Sequence, residues 1–232
     1  MAKILYYARK AWEGEIGDIK QASRIFLDAC FILRFFEEHE DCVELMDQIT
    51  DQNCTLFISS TVFGEVTNVL LRSSLVVDGY YYHTRDSRKI LSHYAAQIIE
   101  KEFDHQDIQN IRMGYHSRVK VDTERILKMN LVTEKGRKQF RVYFEKVAEQ
   151  VGEFIKEYSI RFIEQDMNIC RETEKIMASD LLSPNDANHY ACYLLGPLDE
   201  KGNRTGPLDF LLTLDGDFER ATDKGQVIKI AS

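Results

Sequence analysis

Five short runs rich in β-branched and aromatic residues constrain this chain most: Arg24–Asp28, Thr55–Ser59, Ser159–Ile163, Phe210–Leu214 and Val227–Ile230. Several are continuously apolar rather than alternating, as expected of strands covered on both faces. Segments of helical periodicity separate them; in Thr61–Arg72, Val62, Val66, Val69 and Leu70 share one face. Strands alternating with helices in this order predict an α/β fold with a parallel sheet and right-handed crossovers. Pro184, Pro197 and Pro207 are the three prolines, so 1–183 lacks the residue that most readily breaks helices. Residues 80–157 contain no strand-like run and read as a helical elaboration within a single domain spanning 1–232, with 1–23 as an N-terminal extension. Gly196–Asp209, with three glycines and two prolines, reads as a surface connection.

Composition narrows the function class. At 232 residues and 44% hydrophobic, the chain can bury one sizeable core. It has no run of about 18 apolar residues that could span a bilayer. The apolar run at the start is interrupted by Arg9 and Lys10, too early for a signal-peptide core, so a cytoplasmic protein is expected. Cys30, Cys42, Cys54, Cys170 and Cys192 are never closer than 12 apart, which excludes CxxC zinc or redox spacing; they read as reduced thiols. A net charge of -8 argues against uniform adhesion to nucleic acid, which favours a basic domain. The charge is uneven, however. Arg112–Lys146 carries ten basic residues against four acidic ones, a local +6 that leaves -14 elsewhere. Arg118, Lys120, Arg137, Lys138 and Arg141 in this segment are the candidate RNA-binding residues. Tyr115, Phe140, Tyr143 and Phe144 interleave with them and either stack on unpaired bases or turn inward.

Four acids fall at related places on this frame. Asp28 ends the first apolar run, and Asp215 follows Phe210–Leu214, with Asp217 two residues on. In open parallel sheets, ligands bind beyond the carboxyl ends of the strands. Thr55–Ser59 runs into Ser60, an expected N-cap, which keeps Glu65 near the same edge. In Ser183-Pro184-Asn185-Asp186, Ser183 caps, Pro184 takes the first helical position and Asp186 sits three after the cap. Separately, each acid reads as a turn former, a solvated helix residue or half of a capping box. Together they suggest a carboxylate cluster, which is costly unless a cation neutralises it, and oxygen ligands select Mg2+ or Mn2+. Such an ion activates water and stabilises charge on a phosphoryl oxygen, the logic of phosphodiester hydrolysis. His189, three after Asp186, either reaches substrate phosphate or packs beside the site.

Phe26-Leu27-Asp28, then Phe57-Ile58-Ser59-Ser60-Thr61-Val62-Phe63-Gly64-Glu65-Val66, then Leu182-Ser183-Pro184-Asn185-Asp186-Ala187, then Leu212-Thr213-Leu214-Asp215-Gly216-Asp217-Phe218 resemble the successive motifs of PIN-domain nucleases. The resemblance covers roughly 24–71 and 158–230. It implies a three-layer α/β/α fold around a five-stranded parallel sheet, and a Mg2+/Mn2+-dependent endoribonuclease, commonly the toxin of a toxin-antitoxin pair. By the same implication Asp28, Glu65, Asp186 and Asp215 are the catalytic, metal-binding acids, with Asp217 as an accessory ligand. The implied partners are an RNA substrate, an antitoxin or other inhibitory protein, and a second copy of the chain. The chain departs from the family at Cys30, where many relatives place a hydroxyl or amide residue, and in the interval of 121 positions from Glu65 to Asp186.

Two other readings compete. A PIN-like scaffold can bind RNA or protein without cleaving it. Leu214-Asp215-Gly216-Asp217 also suggests a phosphatase of the haloacid-dehalogenase type, but that family's nucleophilic Asp normally lies in the first strand and continues into Gly-Thr, whereas here Phe218 follows.

Overall fold

A computed structural model describes residues 3–7, 19, 21–79, 134–220 and 226–230. The strands are β1 (Lys3–Tyr7), β2 (Arg24–Leu27), β3 (Thr55–Ser59), β4 (Arg161–Ile163), β5 (Phe210–Thr213) and β6 (Gln226–Ile230). The helices are α1 (Ala29–Phe36), α2 (Glu40–Asp51), α3 (Ser60–Gly79), α4 (Glu134–Glu157), α5 (Met167–Asp180) and α6 (Pro184–Leu195), with a 3-10 helix over Gly216–Arg220. Every strand pairing is parallel, and the order across the sheet is β1-β6-β5-β2-β3-β4. The protein is therefore α/β with helices on a parallel sheet. Its described strands number six, because Lys3–Tyr7 adds an edge strand beside β6. That segment lies in the stretch read from sequence as an N-terminal extension.

The apolar runs become strands because their side chains are covered on both faces. Ile25, Phe26 and Leu27 of β2 and Leu211 and Leu212 of β5 are fully buried. Burying each such side chain contributes about 1.5–3 kcal/mol. On α3, Val62, Val66 and Leu70 are buried, as the helical spacing predicts. The cap of that helix lies one residue earlier than expected: the Ser59 hydroxyl, not Ser60, accepts from the Val62 amide at 3.1 Å.

The order of strands places the switch of direction between β2 and β5. From β2 the chain proceeds outward through β3 to β4, and from β5 outward through β6 on the other side. Leu27 pairs with Leu212, and the Asp28 amide bonds to the Leu212 carbonyl at 3.0 Å. The residues immediately after these two strands are thus forced side by side, at the crevice where open α/β sheets bind ligands.

The chain divides into two compact units, Met1–Val66 with Phe154–Ser232, and Thr67–Glu153. The sheet and all five candidate acids belong to the first. Of the second, the described parts are the later turns of α3 and the earlier turns of α4, where Leu70, Val147 and Val151 are buried. Arg137, Lys138 and Arg141 are exposed on α4, and Lys138 pairs with Glu134 at 3.1 Å. Phe144 is exposed, while Phe140 and Tyr143 are half-buried. Arg118, Lys120 and Tyr115 lie outside the described residues. No described helix is long and apolar enough to cross a membrane.

Candidate metal centre

Three of the predicted acids meet. Carboxylate oxygens of Asp186, Asp215 and Asp217 all lie within 4.8 Å of one another, and all three side chains are partly exposed. Asp186 is placed by the start of α6: Ser183 accepts from the Asp186 amide at 3.3 Å, and its hydroxyl donates to Asp186 Oδ2 at 2.5 Å. This is the predicted N-terminus, with Pro184 at the first turn. Asp215 is placed by the end of β5. Its amide donates to Thr213 Oγ1 at 2.9 Å, and its Oδ1 accepts from the Asp217 amide at 2.8 Å. This local turn holds Asp217 beside it.

Asp28 lies deeper, 3% exposed, as the N-cap of α1. Its Oδ1 accepts from the Ala29 amide and from His189 Nδ1, both at 2.8 Å. Its Oδ2 accepts from the Thr213 hydroxyl at 2.7 Å and the Cys30 thiol at 2.8 Å. Burial opposes ionisation of Asp28, but the bonds from His189, Cys30 and Thr213 outweigh it and hold the carboxyl below its ordinary 3.8. The same surroundings push the Cys30 thiol well up, through burial first and then the Asp28 charge. Cys30 is thus a neutral donor, not a thiolate ligand.

His189 does not reach toward an open phosphate. It is 1% exposed, on the turn of α6 after Asp186, with Nδ1 on Asp28 and Nε2 3.8 Å from Glu65 Oε2. Burial disfavours its charged form, yet the bond and charge of Asp28, followed by the charges of Glu65 and Asp186, raise its pKa above 6.5. Glu65, on the second turn of α3, is half-buried and receives Asn185 Nδ2 at 3.5 Å. Burial, and then the charges of Asp28 and Asp186, raise its pKa above 4.5 against the pull of His189. Asp186 is raised too, by burial and by Asp28 and Asp215, against the Ser183 hydrogen bond. At Glu65 and Asp186, burial and then neighbouring carboxylate charge oppose ionisation.

The five predicted acids therefore divide. Asp186, Asp215 and Asp217 form an oxygen cluster suited to a hard divalent ion, while Asp28 and Glu65 lie outside that group of three, on either side of His189. Sequence reasoning missed Thr213 and the donor role of Cys30. The signal for Thr213 was a hydroxyl inside the wholly buried strand Phe210–Thr213, where a polar group needs a partner. A cavity of about 330 Å3 at the opposite edge, between Thr55 of β3 and Arg161 of β4, contains none of these acids.

No family model, no curated protein and no solved structure matches the chain.

Proposed function

We propose that this protein is a PIN-like, Mg2+- or Mn2+-dependent endoribonuclease, with β2 to β6 as its five-stranded sheet in a three-layer α/β/α arrangement. The observation that carries the reading is the convergence of Asp186, Asp215 and Asp217 beyond the carboxyl ends of adjacent strands at the switch of strand order. These three residues would hold the ion, since carboxylate oxygen is the donor type that Mg2+ and Mn2+ select. When bound, the ion supplies an activated water and stabilises charge on the phosphoryl oxygen. The chain's own part is positional. Ser183 orients Asp186, the turn after Thr213 orients Asp215, and the buried Asp28 holds the Thr213 hydroxyl that receives the Asp215 amide.

On this reading Arg137, Lys138 and Arg141, together with Arg118 and Lys120, bind the RNA backbone, and the exposed Phe144 offers a face to unpaired bases. An antitoxin-type inhibitor and self-pairing are partners in keeping with the same reading.

Unstructured RNA incubated with Mn2+ tests it. Cleavage should vanish in EDTA and fall by at least about 100-fold in Asp215→Asn, the scale on which impaired metal binding acts. Cleavage that survives both treatments would sink the proposal, and no cleavage of any RNA with Mn2+ present would favour the binding scaffold. Reversing Arg137, Lys138 and Arg141 to Glu should weaken single-stranded RNA binding. It should also flatten the salt dependence, by about 0.7 in log–log slope for each phosphate no longer neutralised. Fluorescence anisotropy across a salt series reads both.

A further inference from the structure

Asp28 and the cluster residues differ in how much of each carboxylate the protein already uses. An ionised carboxylate offers about four acceptor sites. At Asp28 four protein donors fill them: the Ala29 amide, His189 Nδ1, the Thr213 hydroxyl and the Cys30 thiol. Asp186 accepts one bond, from Ser183, and Asp215 one, from the Asp217 amide, among the described residues. For Asp28 to ligate a metal, one of its donors must turn away. The Ala29 amide is fixed by the helix start and His189 is almost wholly buried on Asp28, while the Thr213 hydroxyl and the Cys30 thiol have only each other, at 3.2 Å, to turn toward among the described residues.

His189 extends the same asymmetry. A carboxylate only accepts, so Nδ1 carries the proton toward Asp28. Nε2 then points the other way; it is buried, has no hydrogen-bond partner among the described residues, and stands 3.8 Å from Glu65 Oε2. The half-exposed Glu65 side chain can close that gap when Nε2 also carries a proton, as the imidazolium, because a carboxylate only accepts. An unpartnered ring nitrogen in a buried site, aimed at an acid on the rim of the cluster, has the geometry of a brace.

Building on the nuclease reading, we infer that Asp28 is not a metal ligand in this protein but the buried anchor of His189, and that His189 is a positioning residue that sets Glu65 at the edge of the Asp186–Asp215–Asp217 cluster. The acid that the family resemblance would place first among the ligands thereby acts one step behind the ion, through the imidazole.

Two measurements on the full chain test this without relying on turnover. The first is Mn2+ affinity, read from the electron-paramagnetic signal of free Mn2+. Asp215→Asn and Asp186→Asn should lose more than about 100-fold. Asp28→Asn, checked for folding by circular dichroism, should lose less than about tenfold, the mild end for residues outside the coordination sphere. The second is the imidazole proton of His189, observed by nitrogen-15-edited NMR. Its Nδ1 proton should be shifted downfield, move upfield in Asp28→Asn, whose neutral amide oxygen is a weaker acceptor, and persist at saturating Mg2+. Should Asp28→Asn lose Mn2+ as heavily as Asp215→Asn, or Mg2+ remove the His189 signal, the anchor role is overturned while the metal-nuclease reading stands. Failure of the unsubstituted protein to bind Mn2+ would overturn both together. His189→Gln, which keeps a donor for Asp28 but shortens the reach to Glu65, should retain Mn2+ affinity and alter kcat for RNA rather than KM. An unchanged kcat would remove the positioning role.

Discussion

Asp28 and Asp215 follow neighbouring strands and stand near one another, yet the protein treats them in opposite ways. Asp28 is buried and surrounded by donors, and its charge is held in place by His189, Thr213 and Cys30. Asp215 is part of a half-open group of three carboxylates whose charges mainly face one another. The first arrangement stores its electrostatic energy in the fold. On the proposed reading, the second leaves it to be relieved by an ion from solution. The difference arises within a few residues: the chain after β2 turns directly into α1 with Asp28 as its cap, whereas the chain after β5 turns through Gly216 and a 3-10 helix at the surface.

Deleting each carboxylate in turn and measuring stability without metal puts this contrast under the greatest load. Asp28→Ala takes the acceptor from the buried Nδ1 of His189 and from the Thr213 hydroxyl and should cost about 3–5 kcal/mol, measured by urea unfolding. Asp215→Asn keeps an oxygen for the Asp217 amide and should change stability by no more than about 0.5 kcal/mol. Equal losses would mean that the two acids are not distinct in kind.

On the proposed reading, metal addition should reverse the ranking. Mn2+ at 100 times its dissociation constant should stabilise the unsubstituted protein by about 2.7 kcal/mol. Asp215→Asn should show little of this gain, read as a shift of the urea midpoint with and without EDTA.

The pH dependence separates the two environments by sign. Asp28 is held below 3.8, so its contribution is present above that pH and is lost as pH falls through its folded value. His189 is raised above 6.5, so its contribution is complete below 6.5 and is lost as pH rises through its folded value. The pair therefore stabilises most between those limits. Asp186 and Glu65 have raised values, and their ionisation opposes folding as pH climbs above their ordinary 3.8 and 4.5. Unfolding curves in EDTA should show stability declining on the alkaline side of pH 6.5, a decline that Asp28→Asn reduces. Asp186→Asn should instead reduce the decline that begins near pH 4. A decline on the alkaline side that Asp28→Asn leaves untouched would show that His189 is not coupled to Asp28.

Much of this was legible in the residues. The continuous apolar runs announced buried parallel strands, and Ser183-Pro184-Asn185-Asp186 announced the start of α6, because capping and proline preference are local properties. The expectation of one shared edge for Asp28, Glu65, Asp186 and Asp215 came from strand–helix alternation together with the caps at Ser60 and Ser183, and of these four Asp186 and Asp215 meet there with Asp217. The strand at Lys3–Tyr7 was not legible, since it is stabilised by a partner, β6, more than two hundred positions away. Nor was the role of His189, whose position three after Asp186 specifies a helix face but not what that face meets.

Which acids lie at the carboxyl end of the sheet is written in the residues around each of them, because periodicity and capping are read within a few positions. Which of those acids remain open to an ion is a property of the folded chain. Lone pairs are filled by donors from other segments: Thr213 lies 185 positions from Asp28 and His189 lies 161, and nothing local to Asp28 reveals that they meet there.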